Sequence, residues 1–388
     1  MHYKGCVLSD LALLFATRAV RMFAYGFLSV ILILYLASIG ISEHRIGLLL
    51  TLTLLGDVVV SLFLTTRADA FGRRGTLIGG AILMAAAAAV FASTHDFYVL
   101  LIAATIGVIS PSGNEVGPFL AIEQVALADV AEGRDRTNLY AWYNLGGSFA
   151  TAMGALAAGA VADAISYRGV IIGYGMLGLA LASMFAFLSP AVNAQHATAG
   201  KIQSRGIVAK LSALFALDSF AGGLIVQSIL AWWFYRRFGL SPAIIGSIFF
   251  GANILAGISA LAAAWLAKRF GLLNTMVFTH LPSNILLLLI PFMPTLTLAI
   301  TVLLLRFSIS QMDVPTRQSY LIAVLQPEER TAAAGITGVA RTTGAALAPI
   351  LAVPLVSSAH DWVPFVAAGG LKIVYDLLLL WSFSRRTE

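Results

Sequence analysis

Apolar runs of membrane-spanning length recur from one end of this chain to the other. A helix needs about 20 apolar residues to cross a bilayer. We count twelve such runs, in the approximate windows 8–38, 45–66, 75–94, 97–126, 137–162, 169–189, 207–235, 243–266, 273–293, 296–325, 332–357 and 362–383. Hydrophobic residues make up 59% of the sequence and charged residues only 11%. The sequence therefore predicts an all-α membrane protein with twelve transmembrane helices.

Eleven ionisable side chains lie inside these apolar runs. They are Arg18, Arg21, Arg306, Arg317, Arg341 and Lys372, together with Asp57, Glu115, Asp218, Asp313 and Asp376. Each costs roughly 2.5–3.5 kcal/mol at the centre of a bilayer even on lenient insertion scales, so such a group normally faces water or an opposite charge. We therefore expect a polar pathway inside the protein.

Lysine and arginine residues outside the runs are unevenly distributed. With the N-terminus in the cytoplasm, fourteen of the 24 fall on the cytoplasmic side and four on the other. The positive-inside rule then predicts a multi-pass protein of the cytoplasmic (inner) membrane with both termini in the cytoplasm. The net charge of +6 is explained by this topology. It also attracts anionic membrane lipid, and it requires no nucleic acid as a partner.

A sequence repeat links the two halves of the chain. Residues recur 199 positions apart, as Gly40 and Gly239, Ser42 and Ser241, Ile46 and Ile245, Gly47 and Gly246, and Gly72 and Gly271. The repeat predicts two pseudo-symmetric six-helix bundles. Because the longest polar break lies between them, we place the N-terminal bundle at 1–190, a cytoplasmic linker at 191–206 and the C-terminal bundle at 207–388.

A short basic turn, TTRADAFGRRGTLIGG, separates the second and third runs and contains Asp69, Gly72, Arg73 and Arg74. It resembles the signature loop of the major facilitator superfamily, usually written G-x-x-x-D-x-x-G-R-[RK], with Thr65 in place of the opening glycine. The resemblance extends to the whole chain, because twelve helices in two repeated halves are the architecture of that superfamily. It implies a cytoplasmic gate held closed by Asp69, which pairs with a neighbouring arginine and a helix terminus.

The resemblance also implies that the first, fourth, seventh and tenth helices line a central cavity. Arg18, Arg21 and Tyr25 share one face of the first helix, and Arg306, Asp313 and Arg317 have the same kind of spacing on the tenth. Two prolines flank residues 112–117 in the fourth run, where a broken helix can leave backbone groups free to coordinate a ligand. The predicted substrate-binding residues are Arg18, Arg21, Tyr25, Asn114, Arg306, Arg317 and Arg341. Since arginine suits carboxylate or phosphate, the substrate is predicted to be anionic or zwitterionic.

Four carboxylates are candidates for proton coupling: Asp57, Glu115, Asp218 and Asp313. A membrane carboxylate whose arginine partner comes and goes can take up and release protons near neutral pH. Asp57 has no cation near it in sequence, so we expect an arginine of the first helix, Arg18 or Arg21, to be its partner. Sodium coupling remains an alternative.

Other charged residues have simpler interpretations. Asp313 and Arg317 stand four residues apart and could neutralise each other, and the same spacing favours an ion pair between Lys372 and Asp376. Glu123 is expected to be solvated or part of the gate. His280 is expected to pack or to form a local hydrogen bond.

The function predicted from these features is secondary active transport of a small organic solute by alternating access, through proton-coupled efflux in antiport. Uptake of an organic anion, coupled to protons or sodium, is an alternative, because the Gly-Pro core typical of exporters is missing from NLGGSFATAMGALAAG. A receptor or scaffold without transport is an alternative of another class. The sequence contains no HExxH, GxSxG or CxxC pattern, and it has one cysteine. We therefore predict no enzymatic activity, catalytic residue, metal or cofactor, and a monomer whose partners are solute, protons and lipid.

Overall fold

The computed structural model describes residues 2–66, 72–130, 136–189, 204–326 and 329–383. Within these residues the chain is helical and has no β-strand. Eleven of the helices are long and apolar enough to cross a membrane, and Phe97–Ile106 is a shorter apolar helix. Together they correspond to the twelve predicted runs, and the all-α membrane class is confirmed.

The helices of the described residues are numbered here in chain order. They are α1 (His2–Ser29), α2 (Leu32–Ser38), α3 (Glu43–Thr66), α4 (Arg73–Ser93), α5 (Phe97–Ile106), α6 (Phe119–Val130), α7 (Arg136–Ala164), α8 (Tyr167–Ala186), α9 (Arg205–Gly223), α10 (Gln227–Phe238), α11 (Pro242–Phe270), α12 (Leu272–Leu289), α13 (Leu296–Ser310), α14 (Asp313–Ala323), α15 (Arg330–Ala346), α16 (Pro349–Val356) and α17 (Val363–Phe383), with a 3-10 turn at Ile290–Phe292.

Five of the predicted transmembrane runs contain an interruption within the described residues. The broken pairs are α1 and α2, α5 and α6, α9 and α10, α13 and α14, and α15 and α16. The longest break, at 107–118, contains two prolines and has Gly113 and Gly117 at φ 72° and 79°. Proline lacks the N–H that a helix needs, and glycine adopts positive φ without a steric penalty, so this segment leaves the helical path. The predicted break is confirmed, whereas the single helical face from Arg306 to Arg317 is wrong, because α13 ends at Ser310.

Two pairs of repeated glycines have the same backbone conformation. Gly40 and Gly239 lie at φ 86° and 63°, and Gly72 and Gly271 at φ 74° and 83°. Gly72 stands immediately before α4 and Gly271 immediately before α12. A residue with a Cβ is strained at such φ values, so these turns require glycine. The sequence repeat therefore corresponds to a repeat of local structure.

The chain divides into two compact units. The first unit is Met1–His196 with Gly239–Phe250, and the second is Ala197–Phe238 with Gly251–Glu388. In the first unit α1 packs along α7 and α4 along α8, while in the second α9 packs along α15 and α12 along α17. The predicted boundaries at 1–190, 191–206 and 207–388 stay a prediction, since residues 190–203 lie outside the described residues.

Glycines let α1 and α7 approach until their backbones touch. A Cβ added to Gly26 would lie 2.1 Å from the carbonyl oxygen of Thr151, and one added to Gly154 would lie 2.0 Å from that of Phe23. Helices in lipid associate through close van der Waals packing, for which small residues are needed. Gly146, on the same α7, has open space around its Cα.

We therefore expect Gly154→Ala to destabilise the protein by about 1–3 kcal/mol relative to Gly146→Ala, because only the first methyl group is forced into a neighbouring backbone. The favourable effect of alanine on helix formation is common to both variants and cancels in the comparison. Thermal unfolding of both variants in detergent, followed by tryptophan fluorescence, measures the difference. Equal stability of the two variants would show that the backbone contact does not hold α1 against α7.

Candidate functional site

Two arginines and two glutamates form a buried charge network in the first unit. Arg18 and Arg21 lie one turn apart on α1, and both donate hydrogen bonds to Glu115, at 3.1 Å in each of the two contacts from Arg21. Arg21 also donates to both carboxylate oxygens of Glu123, at 2.7 and 2.6 Å. The side chains of Arg21 and Glu123 have no exposed surface. Both guanidinium groups therefore have carboxylate partners inside the protein, and the two positive charges are balanced by two negative charges.

The remaining hydrogen-bonding groups of this network are also occupied. Thr17 donates to Glu123 at 3.1 Å, and Tyr143 donates to the other oxygen of the same carboxylate. Arg18 donates to the carbonyl oxygen of Tyr143 at 2.9 Å and to Asn144 at 3.2 Å. The expectation that Glu123 is solvated is therefore wrong. It is buried because Arg21 and two hydroxyl groups replace the water that it would otherwise need.

The broken segment 107–118 is held by side-chain hydrogen bonds. The Tyr25 hydroxyl donates to the carbonyl oxygen of Val116 at 3.0 Å, and Ser110 donates to the carbonyl oxygen of Asn114 at 2.6 Å. The side chain of Asn114 is exposed. Of the predicted site residues, Arg18, Arg21 and Tyr25 thus converge on the segment that carries Glu115, as their shared face predicted.

Asp57 is a buried carboxylate with no ion pair in the described part of the chain. It lies on α3 with 7% of its surface exposed. One of its oxygens accepts hydrogen bonds from the backbone N–H of Gly117 at 2.6 Å and from Ser61 at 3.2 Å. The expected pairing with an arginine of α1 is wrong, because both of those arginines are held by glutamates.

Asp218 is the centre of a second buried network, in the second unit. One of its carboxylate oxygens accepts from Arg317 at 3.0 Å, and the other accepts from Lys372 at 2.6 Å. The same nitrogen of Arg317 lies 3.0 Å from Asp313, four residues before it on α14. The local pair between Asp313 and Arg317 is confirmed, and it forms part of a larger cluster built from α9, α14 and α17.

His280 and Asp376 form the other side of this cluster. His280 Nδ1 lies 2.8 Å from one oxygen of Asp376, and the Asn284 amide donates to the other at 2.9 Å. The expected ion pair between Lys372 and Asp376 is wrong. Although the two stand four residues apart on α17, Lys372 bonds to Asp218 and Asp376 to the histidine.

Two arginines of the second unit have no carboxylate partner among the described residues. Arg306, on α13, is 7% exposed, and its Nε is buried without a hydrogen-bond acceptor. The Nε of Arg341, on α15, is buried in the same way. Both arginines lie within electrostatic range of Asp218 and Asp313, whose oxygens are occupied by other cations.

The membrane-depth charges of the two units are therefore unbalanced in opposite directions. In the part of the first unit that the structure describes, the cluster around the broken segment has two cations, Arg18 and Arg21, against three carboxylates, Asp57, Glu115 and Glu123. Among the described residues of the second unit, the cluster around Asp218 has four cations, Arg306, Arg317, Arg341 and Lys372, against three carboxylates, Asp218, Asp313 and Asp376. The uncompensated groups are the carboxylate of Asp57 and the guanidinium groups of Arg306 and Arg341.

The predicted cytoplasmic gate is described only in part. Gly72 immediately precedes α4, Arg73 is buried, and Arg74 donates a hydrogen bond to the carbonyl oxygen of Ala186 at the end of α8. Asp69 lies outside the described residues, so its role stays a prediction.

In the described residues, no group of three or more His, Cys, Asp or Glu side chains is placed to hold a metal ion.

Sequence reasoning missed Glu123 and the contacts of His280. Glu123 lies on α6, eight residues after Glu115, but Glu115 lies in the non-helical segment 107–118, so helical spacing does not relate the two. The number of charged residues, and not their spacing, could have pointed to Glu123. Two arginines in the first apolar run need anions at membrane depth, and few carboxylates in the first half of the chain can supply them.

Comparison with known proteins places this architecture in a family. The family model of the Major Facilitator Superfamily matches residues 14–225 and 211–388. The uncharacterized membrane protein YJR124C of Saccharomyces cerevisiae is 28% identical over 424 residues, covering 97% of this chain and 95% of that protein.

Solved structures share the fold at low identity. A mutant of the nucleoside transporter NupG superposes with a TM-score of 0.78 at 14% identity, over 96% of this chain and 99% of the other. The human organic anion transporter MFSD10 (TETRAN) gives 0.70 at 15% identity over 96% and 99%, and a D-xylose-proton symporter gives 0.71 at 14% over 97% of each chain. With the family model matching along nearly its whole length, the chain belongs to the major facilitator superfamily.

Proposed function

We propose that the small solute which this transporter moves by alternating access carries an anionic group, and that its movement is coupled to protons. The observation that carries the proposal is the pair of arginines in the second unit, Arg306 and Arg341, whose Nε atoms are buried without a hydrogen-bond acceptor. The solved relatives are named as transporters of a nucleoside, an organic anion and a sugar. These proteins are named for different kinds of solute, so the proposal of an anionic solute rests on the residues of this chain and not on its similarity to them.

A guanidinium group buried in the membrane without a counter-ion is costly. Arg306 has the ring of Phe307 beside it, with its Cζ 5.2 Å from the ring centroid, but no carboxylate bonds to it. A carboxylate or phosphate on the solute would satisfy the free N–H groups and form charge-assisted hydrogen bonds. We assign Arg306 and Arg341 to solute binding, with Tyr25 and the exposed Asn114 as further candidates. Arg18, Arg21 and Arg317 are assigned to the internal charge networks.

Asp57 is the foremost candidate for proton coupling. A carboxylate buried without a cation avoids a large desolvation cost when it binds a proton. Its hydrogen bond to Gly117 joins it to the segment that also carries Glu115, the partner of both arginines of α1. Gaining or losing a proton at Asp57 would therefore change the forces on a segment that contacts α1. Glu115, Asp218 and Asp313, which all have cationic partners, are secondary candidates.

Efflux in exchange for protons is the direction that the sequence predicts. Uptake of an organic anion is the second candidate function, and the surplus positive charge beside Arg306 and Arg341 favours it. Family membership argues against a receptor or scaffold without transport. We keep the cytoplasmic (inner) membrane, with both termini in the cytoplasm, as the proposed location on the distribution of lysine and arginine.

We expect Asp57→Asn to abolish transport driven by a pH gradient while leaving solute exchange and folding intact. The amide oxygen can still accept from Gly117 and Ser61, but the residue no longer binds and releases a proton. The measurement compares gradient-driven flux with counterflow in proteoliposomes, using a solute found by screening organic anions under an imposed pH gradient.

Asp96→Asn is the matched control for this carboxylate-to-amide change. Asp96 is exposed and caps α5, and asparagine caps a helix equally well, so this variant should transport as the wild type does. Concentrative transport by Asp57→Asn at the wild-type level would remove Asp57 from the coupling role.

Replacement of an unpartnered arginine should weaken solute binding without loss of stability. For Arg306→Gln we expect a loss of about 1.5–3 kcal/mol in the binding of an anionic solute, the usual value of a hydrogen bond to a charged group. By contrast, Arg21→Gln leaves Glu123 buried without its cation and should destabilise the fold by about 3–5 kcal/mol. Binding is measured by isothermal titration and stability by thermal unfolding.

The control for Arg306→Gln is Arg237→Gln. The side chain of Arg237 is 49% exposed, and its guanidinium group lies 4.0 Å from the carboxylate of Asp361. Removing such an exposed, long ion pair should change neither the binding of the solute nor the stability appreciably. Unchanged affinity of Arg306→Gln for every transported compound, or transport of lipophilic cations, would contradict the anionic class.

A further inference from the structure

His280 lies between two buried carboxylates. Its Nδ1 is 2.8 Å from an oxygen of Asp376, and its Nε2 is 3.9 Å from Oδ1 of Asp218. The histidine is 3% exposed and Asp376 has no exposed surface. The other oxygen of Asp376 accepts a hydrogen bond from Asn284, so this carboxylate is fixed in place on both sides. The ring is thus held by one carboxylate and faces a second.

Two groups lie close to Nδ1 of the ring: Asp376 at 2.8 Å and the Asn284 amide nitrogen at 3.3 Å. Beside an ionised Asp376, which only accepts hydrogen bonds, Nδ1 is the donor, and the Asn284 amide donates to the other oxygen of the carboxylate. In the neutral ring Nε2 then has a lone pair, and this lone pair faces Oδ1 of Asp218, which is also an acceptor. Two acceptors do not bond, and 3.9 Å is longer than a hydrogen bond. A second proton would turn Nε2 into a donor directed at Asp218.

The oxygen that faces His280 is already in use. Lys372 Nζ lies 2.6 Å from the same Oδ1 of Asp218, while Arg317 holds the other oxygen. A protonated His280 would therefore compete with Lys372 for one carboxylate oxygen. Because Lys372 is attached to a flexible four-carbon chain, it is the member of the cluster that can most easily move away.

We propose that His280 is a proton-binding site of the second unit, and that its protonation displaces Lys372 from Asp218 and so adds a free positive charge to the cluster that contains Arg306 and Arg341. Only the last step, in which the released charge helps to bind a solute, rests on the proposed anion transport. The proton site itself depends on the geometry of the ring and its two carboxylates.

The groups that face His280 belong to this cluster and to the helices packed against α12. They are Asn284 on α12 itself, Arg306 on the adjacent α13, Asp313, Arg317 and Tyr320 on the adjacent α14, Lys372, Tyr375 and Asp376 on the adjacent α17, and, within the cluster, Asp218 on α9 and Arg341 on α15. With His280 neutral, the four cations exceed the three carboxylates by one charge. A proton on His280 raises this excess to two, which strengthens the attraction for an anion.

Proton and anion would therefore assist each other. If a proton on His280 raises the affinity for an anion, thermodynamic linkage requires that the anion raise the affinity of His280 for a proton by the same factor. A proton and an anion that bind to the same unit at the same time can be moved together in one direction. This linkage therefore favours uptake of an organic anion with protons over exchange of the two.

The test of the proton site is a pH titration of the whole protein in lipid nanodiscs, with ¹⁵N-labelled histidine rings observed by NMR. The His280 signals are identified by their loss in His280→Gln, and His360→Gln, which changes an exposed histidine, is the control. We expect the ring to pass from the Nδ1–H neutral form to the doubly protonated form as the pH is lowered. A ring that stays neutral throughout overturns the proposal.

A variant tests the competition for Asp218. Lys372→Met frees Oδ1, so the ring should bind its second proton at a higher pH than in the wild type, and an unchanged titration contradicts the release of Lys372. Should Lys372→Met not fold, Asp376→Asn replaces the acceptor by an amide of the same shape. The ring should then gain its proton at a lower pH, and no shift in that variant overturns the role of Asp376.

The link to anions is tested with benzoate, a minimal organic carboxylate, against sodium chloride at equal ionic strength. We expect benzoate to raise the proton affinity of His280 by about tenfold, within the usual range of coupling between sites, and to have no effect in Arg306→Gln. A ring that titrates but ignores benzoate overturns the linkage. A ring that does not titrate, in a protein whose anion transport still requires Arg306, overturns the proton site and leaves the proposed function standing.

Discussion

The cost of a charge without a partner in the membrane governs the interior of this protein. Arg21 and Glu123 can be fully buried only because each is paired with the other, and the same holds for Arg317 with Asp218. Charges satisfied in this way stabilise the position of the helices that carry them. The groups left over among the described residues, Asp57 in the first unit and Arg306 and Arg341 in the second, have no opposite charge bonded to them, and for this reason we propose them as the sites of the proton and of the anionic solute.

The break in the helical path at 107–118 supplies backbone hydrogen-bonding groups to side chains of the first unit. At 107–118 the backbone leaves the helical path, and its N–H and carbonyl groups bond to Asp57 from α3 and to Tyr25 from α1. A continuous helix would have used those backbone groups within itself. The break thus joins side chains of α1 and α3 through one short segment, without a direct contact between charged side chains.

The two units repeat their backbone but not their chemistry. Glycines at equivalent positions adopt positive φ, and the packing of α1 along α7 has its counterpart in α9 along α15. Within this common frame the first unit buries an excess carboxylate and the second an excess of arginine. A histidine between two carboxylates, His280, belongs to the second unit only within the described residues. The two units thus share a backbone arrangement, while the charges without a partner are carried by different side chains in each unit.

The sequence by itself determined the membrane class, the approximate spans, the repeat and the presence of charge at membrane depth, because these depend on local apolar length and on residue type. It also placed Arg18, Arg21 and Tyr25 on one face, since helical spacing is local. Only the tertiary structure decided which charges are paired. Lys372 bonds to Asp218, 154 positions away, and not to Asp376, four positions away, because both oxygens of Asp376 are occupied by His280 and Asn284. A buried charge takes the partner with the best geometry, and that geometry exists only after the helices have packed.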